Sequence, residues 1–122
     1  MSKARRMTPY IIAAVALGLV GVLILKRGMA SSFIESEQAH ALVTDGAALI
    51  DVRSPEEFAS GHIEGARNIP VGEIGARSSE VGDKEAPVVV YCRSGMRSAQ
   101  AKATLDSAGF TQVHNLGGMS RW

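Results

Sequence analysis

Apolar and polar positions fall into blocks of two kinds along this chain. Residues 10–25 are apolar, Gly or Tyr without interruption, and Met7, Thr8 and Pro9 extend the tolerable stretch toward the N-terminus. As a helix, residues 7–25 would be about 28 Å long, close to the roughly 30 Å hydrocarbon core of a bilayer. Beyond residue 32 the blocks shorten. Ser36 is placed to cap a helix running to residue 43, with Ala39, Leu42 and Val43 on one face and Asp45-Gly46 as its stop. Residues 47–52 read as a short buried strand. Ser54-Pro55-Glu56-Glu57 reads as a helix start, with a capping residue, Pro at the first helical position and Glu where a capping box needs it. Gly61 closes that turn. Residues 66–69 form a second strand candidate, 70–74 a helical turn and 75–87 a polar connection. Val88-Val89-Val90-Tyr91 is the strongest strand signal, β-branched and apolar on both faces as in a parallel sheet. A helix over 97–108, stopped by Gly109, and a strand over 112–116 complete the pattern. Strands alternating with helices at this spacing predict an α/β domain with a mainly parallel sheet covered on both faces.

A length of 122 residues allows one compact domain with a real core. The expected division is a membrane anchor and linker over 1–32, then the α/β domain over 33–122. Charge sharpens that division. Lys3, Arg5, Arg6, Lys26 and Arg27 bracket the apolar run with no acid among them, and Tyr10 sits where an interfacial aromatic would. A helix apolar all round and flanked by cations has little reason to lie buried in so small a domain. Cleavage after a signal peptide is the rival, since Gly28-Met29-Ala30 offers small residues, but Lys26 and Arg27 interrupt the approach to that cut and favour a retained anchor. The cations before the run, with the terminal amine, slightly outweigh those after it. The expectation is a single-pass protein of a bacterial inner membrane, with the N-terminus cytoplasmic and the domain on the periplasmic side. The domain itself carries eight Lys and Arg against all twelve Asp and Glu. A phosphate-neutralising surface would be basic, so nucleic acid is not an expected partner.

With Cys92 the only cysteine, no intramolecular disulfide and no cysteine-based metal cage can form. Cys92 directly follows the buried strand and directly precedes Arg93-Ser94-Gly95-Met96-Arg97-Ser98, which opens a helix. In an open α/β sheet, ligands bind at the carboxyl ends of strands, where this thiol lies. A loop entering a helix N-terminus also turns backbone N–H groups inward as a nest for an anion. The thiolate would be that anion, favoured by the helix dipole and by Arg93 and Arg97. An inert Cys buried at a strand end is the bland alternative. Two guanidinium groups within five residues weigh toward the reactive one.

Five stretches then carry a resemblance. Asp51-Val52-Arg53, Glu57-Phe58, Gly61-His62-Ile63-Glu64-Gly65-Ala66-Arg67-Asn68-Ile69-Pro70, Val90-Tyr91-Cys92-Arg93-Ser94-Gly95-Met96-Arg97-Ser98 and Asn115-Leu116-Gly117-Gly118-Met119-Ser120-Arg121-Trp122 resemble the rhodanese family in order and spacing. The resemblance implies a single-domain sulfurtransferase with a five-stranded, mainly parallel sheet and an active-site loop that starts at the nucleophilic Cys. It implies that Cys92 accepts a sulfane sulfur as a persulfide and that Arg93, Ser94, Gly95, Met96 and Arg97 form the cradle. Arg93 and Arg97 would hold a small anionic donor such as thiosulfate, because guanidinium matches its oxygens in a two-pronged way. The acceptor would be cyanide or a thiol, and no cofactor is implied. A persulfide relay between this domain and a protein partner is the competing reading. Many family members continue past the position of Trp122 with a segment packed on the sheet, so this sequence is expected to leave its C-terminal edge less covered.

Other residues add less. His40, His62 and His114 lack metal-ligand spacing, so no metal is expected, and His62 reads within its motif as a packing and turn residue. Asp51, Arg53 and Ser98 are candidates to stand behind the loop, with an ordinary salt bridge as the equal alternative for the first two. Phe58 and Trp122 read as core anchors. A Cys-loop-Arg element also serves phosphatases that form a cysteinyl phosphate. Those place five residues between Cys and Arg, whereas four separate Cys92 from Arg97, and Ser98 stands at the phosphatase position. The shorter loop predicts a nest sized for one outer sulfur rather than three phosphate oxygens.

Overall fold

The structure is a computed structural model and describes residues 33–122. The expected spanning helix over 7–25 lies outside the described residues. Within them, no helix is long and apolar enough to cross a membrane.

Among the described residues nine elements follow one another. Helix α1 (Ser36–Thr44) leads to β1 (Ala48–Asp51), α2 (Pro55–Ala59), β2 (Arg67–Asn68) and a 3₁₀ turn (Ser78–Glu80). Then come β3 (Val88–Cys92), α3 (Met96–Ser107), β4 (Val113–Gly118) and a last 3₁₀ turn (Met119–Arg121). All strand pairs are parallel, in the order β2-β1-β3-β4.

The core explains why β3 reads as a continuous apolar run. Val88, Val90 and Cys92 face a cluster that includes Ala101 and Leu105 of α3, while Val89 and Tyr91 face one that includes Ala39 of α1. Alternate side chains therefore enter opposite cores, and all five residues of the strand are buried. Ile74, from the turn expected over 70–74, and Val81, from the connection expected to be polar, are both buried in the α3-side cluster, so that connection contributes one anchor to the core.

Two expectations are corrected. The sheet has four strands among the described residues, not five. Beside β4, Ile34 N–H donates to the Asn115 carbonyl at 2.8 Å. Glu35 takes the cap position of α1 directly after it. The second correction is that cap itself, which is Glu35 and not Ser36. Glu35 N–H donates to Gln38 Oε1 at 3.1 Å, whereas the Ser36 hydroxyl donates to the Trp122 carbonyl at 2.7 Å. His40 Nε2 donates to the same carbonyl at 2.7 Å, and its ring lies 3.7 Å from the Trp122 ring. The C-terminal residues thus close onto α1.

Strand order decides where a site can be. The chain leaves β1 toward one edge and β3 toward the other, so the carboxyl ends of β1 and β3 flank the point where connections diverge. A crevice opens at such a point because the flanking loops part in opposite directions. Asp51 ends β1 and Cys92 ends β3.

Candidate active site

Cys92 is fully buried at the end of β3, and the chain turns sharply after it. Gly95 makes that turn possible. It caps α3 at φ +108°, a region an L side chain rarely adopts, and it brings its own N–H to within 2.9 Å of Cys92 Sγ. Ser98, one turn into the helix and fully buried, lies 3.4 Å from the same sulfur through its hydroxyl. In the thiol form Sγ–H donates to Ser98 Oγ, whose own hydrogen goes to the Gly95 carbonyl at 3.1 Å. In the thiolate form the hydroxyl can turn its hydrogen to the sulfur. Burial pushes the Cys92 thiol up. The Ser98 hydroxyl and the amides of Ser98, Gly95 and Ser94 outweigh that and hold it below its ordinary value.

The neighbouring strand is shaped to let this loop close. A bulge in β4 shifts register so that Gly117 and Gly118 stand beside Tyr91 and Cys92, and Asn115 Oδ1 secures it by accepting the Gly117 N–H at 2.9 Å. A Cβ on Gly118 would lie 2.6 Å from the Arg93 carbonyl oxygen. Only glycine leaves room for the loop there.

The two arginines of the loop behave differently. Arg93 is exposed, as is Ser94. Arg97, expected to hold a donor, is paired with a carboxylate: its two terminal nitrogens donate to Glu57 at 2.6 and 3.0 Å. The Arg97 fork holds the Glu57 carboxyl at about 2. Arg97 is raised in turn, chiefly by Glu57 and further by the charges of Cys92 and Asp51. The guanidinium therefore senses the thiolate while bound to a carboxylate. Met96, between Gly95 and Arg97, is 83% exposed.

Asp51 and Arg53 do pair. The Arg53 guanidinium donates to the Asp51 carboxylate at 2.7 to 3.1 Å, and the Arg53 backbone N–H adds a bond of 2.9 Å. Both residues are buried. Arg53 reaches on to the Gly61 carbonyl at 2.7 Å and lies over the Tyr91 ring at 5.9 Å. The Tyr91 hydroxyl accepts the Ile63 N–H at 3.1 Å, and burial pushes that phenol well above its ordinary value. The pair thus braces residues 61–63 against the residue before Cys92; its contacts are with that segment rather than with Arg93 to Arg97. His62 has the packing part expected of it, stacked on Phe58 at 3.7 Å with Nδ1 donating to the Phe58 carbonyl at 2.9 Å.

Glu57 is the site residue that sequence reasoning missed. The sequence gives it a place in the capping box and in one of the resembling stretches but no part beside the Cys92 loop; the box does form, with Ser54 N–H donating to Glu57 Oε1 at 3.2 Å and Glu57 N–H to Ser54 Oγ at 3.1 Å. One carboxylate holds both the cap and Arg97. The available signal was its place one turn beyond β1, at the sheet edge where the basic loop must also lie.

The chain is similar to several known proteins. A family model described as "Rhodanese-like domain" matches residues 35–122. The thiosulfate sulfurtransferase PspE of Escherichia coli is 46% identical over 71 residues, 57% of this chain and 68% of PspE. The thiosulfate sulfurtransferase GlpE of Stutzerimonas stutzeri is 38% identical over 90 residues, 73% of this chain and 82% of GlpE. Bacillus subtilis YqhL, an uncharacterized protein, is 47% identical over 77 residues, and the match spans only 60% of its length. Among solved structures, the human single-domain sulfurtransferase TSTD1 superposes with a TM-score of 0.65 at 33% identity, covering 72% of this chain and 90% of TSTD1. A rhodanese from E. coli with bound anions superposes at 0.60 and 42% identity, over 63% of this chain and 92% of that one. With the family match running across α1, the Cys92 loop and the last turn alike, the chain belongs to the rhodanese-like domain family.

Proposed function

We propose that this protein is a sulfurtransferase that carries a sulfane sulfur on Cys92. The observation that supports it most is the setting of that sulfur: the Gly95 N–H at 2.9 Å and the Ser98 hydroxyl at 3.4 Å meet a buried thiol at the head of a helix, and the loop holds it below its ordinary value. The thiolate attacks the outer sulfur of a donor such as thiosulfate. A new S–S bond forms, the donor S–S bond breaks, and sulfite leaves with the electron pair. A thiophilic acceptor, cyanide or a thiolate, then attacks the outer sulfur of the persulfide and Cys92 leaves as the thiolate that began the cycle. Each step moves one electron pair, so no further oxidant or reductant enters. The thiosulfate sulfurtransferases named above support a donor of the thiosulfate type.

One observation favours the second reading, a relay that receives sulfur from a protein persulfide. Arg97 is already bound to Glu57, which leaves the clamp for a small anion half committed. One assay separates the two. The full-length chain in detergent is given thiosulfate, examined by intact mass, then given cyanide. One added sulfur, lost on reduction and followed by thiocyanate turnover, is expected of the enzyme; the adduct without turnover marks the relay. Persistence of the adduct in Cys92→Ser would overturn both.

We further propose that residues 1–32 anchor the domain at a bacterial inner membrane with Cys92 on the periplasmic side. The support is the apolar run over 7–25 and its flanking cations. Protease added to spheroplasts should degrade the domain; survival of the domain would reverse the orientation.

A further inference from the structure

We propose that Phe33 is a positioning residue for the Cys92 thiolate, acting through Gly95. The inference rests on the reading of Cys92 as an ionised nucleophile. Its grounds are steric. A Cβ built on Gly95 would lie 2.5 Å from Phe33 Cζ and 3.0 Å from Cε1, so the tip of the ring meets the backbone of the loop. A Cβ on Gly117 would lie 3.1 Å from Cγ, Cδ1 and Cδ2 alike, which places the base of the ring face-on over β4. Phe33 therefore spans the gap between the bulged end of β4 and the residue whose N–H is 2.9 Å from the sulfur.

The ring is itself held. Arg121 lies over it at 5.2 Å, and that guanidinium is fixed by donating to the Leu116 carbonyl at 2.8 Å and to the Ile34 carbonyl at 3.2 Å. Gly95 sits at positive φ without a side chain of its own, so its backbone is held at the carbonyl, by the Ala99 N–H at 3.0 Å and the Ser98 hydroxyl at 3.1 Å, and is open to contact on its outer side. Phe33 bears on it. Both glycines are required for the ring to approach, which gives Gly95 and Gly117 a shared reason beyond their backbone angles.

The strength of an N–H···S⁻ contact falls as the amide turns away, so loss of the Phe33 contact should weaken the nest and raise the thiol toward its ordinary value. The full-length chain offers a clean readout, because Cys92 is its only cysteine. Iodoacetamide alkylation is followed against pH, alongside the melting temperature. In Phe33→Ala the rate at pH 7 should fall about threefold or more while the plateau rate at alkaline pH is kept, since only the thiolate fraction has changed. Phe33→Tyr tests the same contact in a protein that keeps the ring. Its extra oxygen sits on Cζ, the atom nearest Gly95, so a change that is conservative for core packing should also shift the profile. Two results would overturn the proposal. One is superimposable profiles for all three proteins; the other is a raised plateau with no shift, which would make Phe33 a cover over the thiol and nothing more. Either result leaves sulfur transfer untouched, because that is decided by the mass adduct and thiocyanate formation.

Discussion

At the scale of single residues, the reactivity of Cys92 is a balance between burial and donors. Removing one donor should tip it. Ser98→Ala deletes the hydroxyl 3.4 Å from the sulfur while leaving the Ser98 amide in place. The midpoint of its alkylation profile should move to higher pH, with persulfide formation slowed at neutral pH and restored at alkaline pH. Glu57 tests the other side of the site. Its carboxyl is held at about 2 by Arg97, below its ordinary value of 4.5, so the stabilising pair is present above that ordinary value and lost as pH falls through about 2. Across pH 5 to 9 Glu57 does not titrate, and no acid limb of activity should come from it. Glu57→Gln releases the Arg97 fork to an incoming anion, and the KM for thiosulfate should fall. Arg97→Ala should raise it. A KM unmoved by both changes would remove Arg97 from donor binding.

At the scale of elements, one turn joins the strand that delivers Cys92 to the helix that receives it. The four residues between Cys92 and Arg97 give a loop whose Gly95 N–H already touches the sulfur. Inserting one glycine after Gly95 should misplace the amides, cut sulfur transfer by an order of magnitude or so, and confer no phosphatase activity. Residue 98 explains the last point. Where a five-residue loop would bring an arginine to clamp phosphate, this protein has a buried Ser98 bonded to the thiol. Hydrolysis of aryl phosphates should stay at background for the native chain, and turnover faster than sulfur transfer would sink the loop-length reasoning.

At the scale of the whole molecule, a buried charge pair braces the segment that precedes Cys92. Asp51→Ala would leave the Arg53 guanidinium buried without its carboxylate, a change that typically costs about 3–5 kcal/mol. Urea denaturation should show that loss, with a lower midpoint and an unchanged slope. Arg53 also braces the Gly61 carbonyl and the Tyr91 ring. Any surviving fold should therefore react more slowly at Cys92, since Tyr91 is the residue that precedes it.

The sequence by itself determined what depends on neighbours in the chain. The apolar run of β3, the cap and proline of α2, the stop at Gly109 and the approach of Cys92 to a helix N-terminus are local patterns, and each is where periodicity and turn chemistry put it. Tertiary structure decided what depends on residues far apart. Glu57 and Arg97 are forty positions apart and meet only because β1 and β3 lie side by side. Ile34 is tied to Asn115 and to Arg121, 81 and 87 positions away, only because the start of α1 folds against the C-terminal residues. Phe33 bears on Gly95 from 62 positions off, a contact no spacing rule can anticipate, since a ring is drawn to a glycine by the space its absent side chain leaves, and that space exists only once the chain has folded.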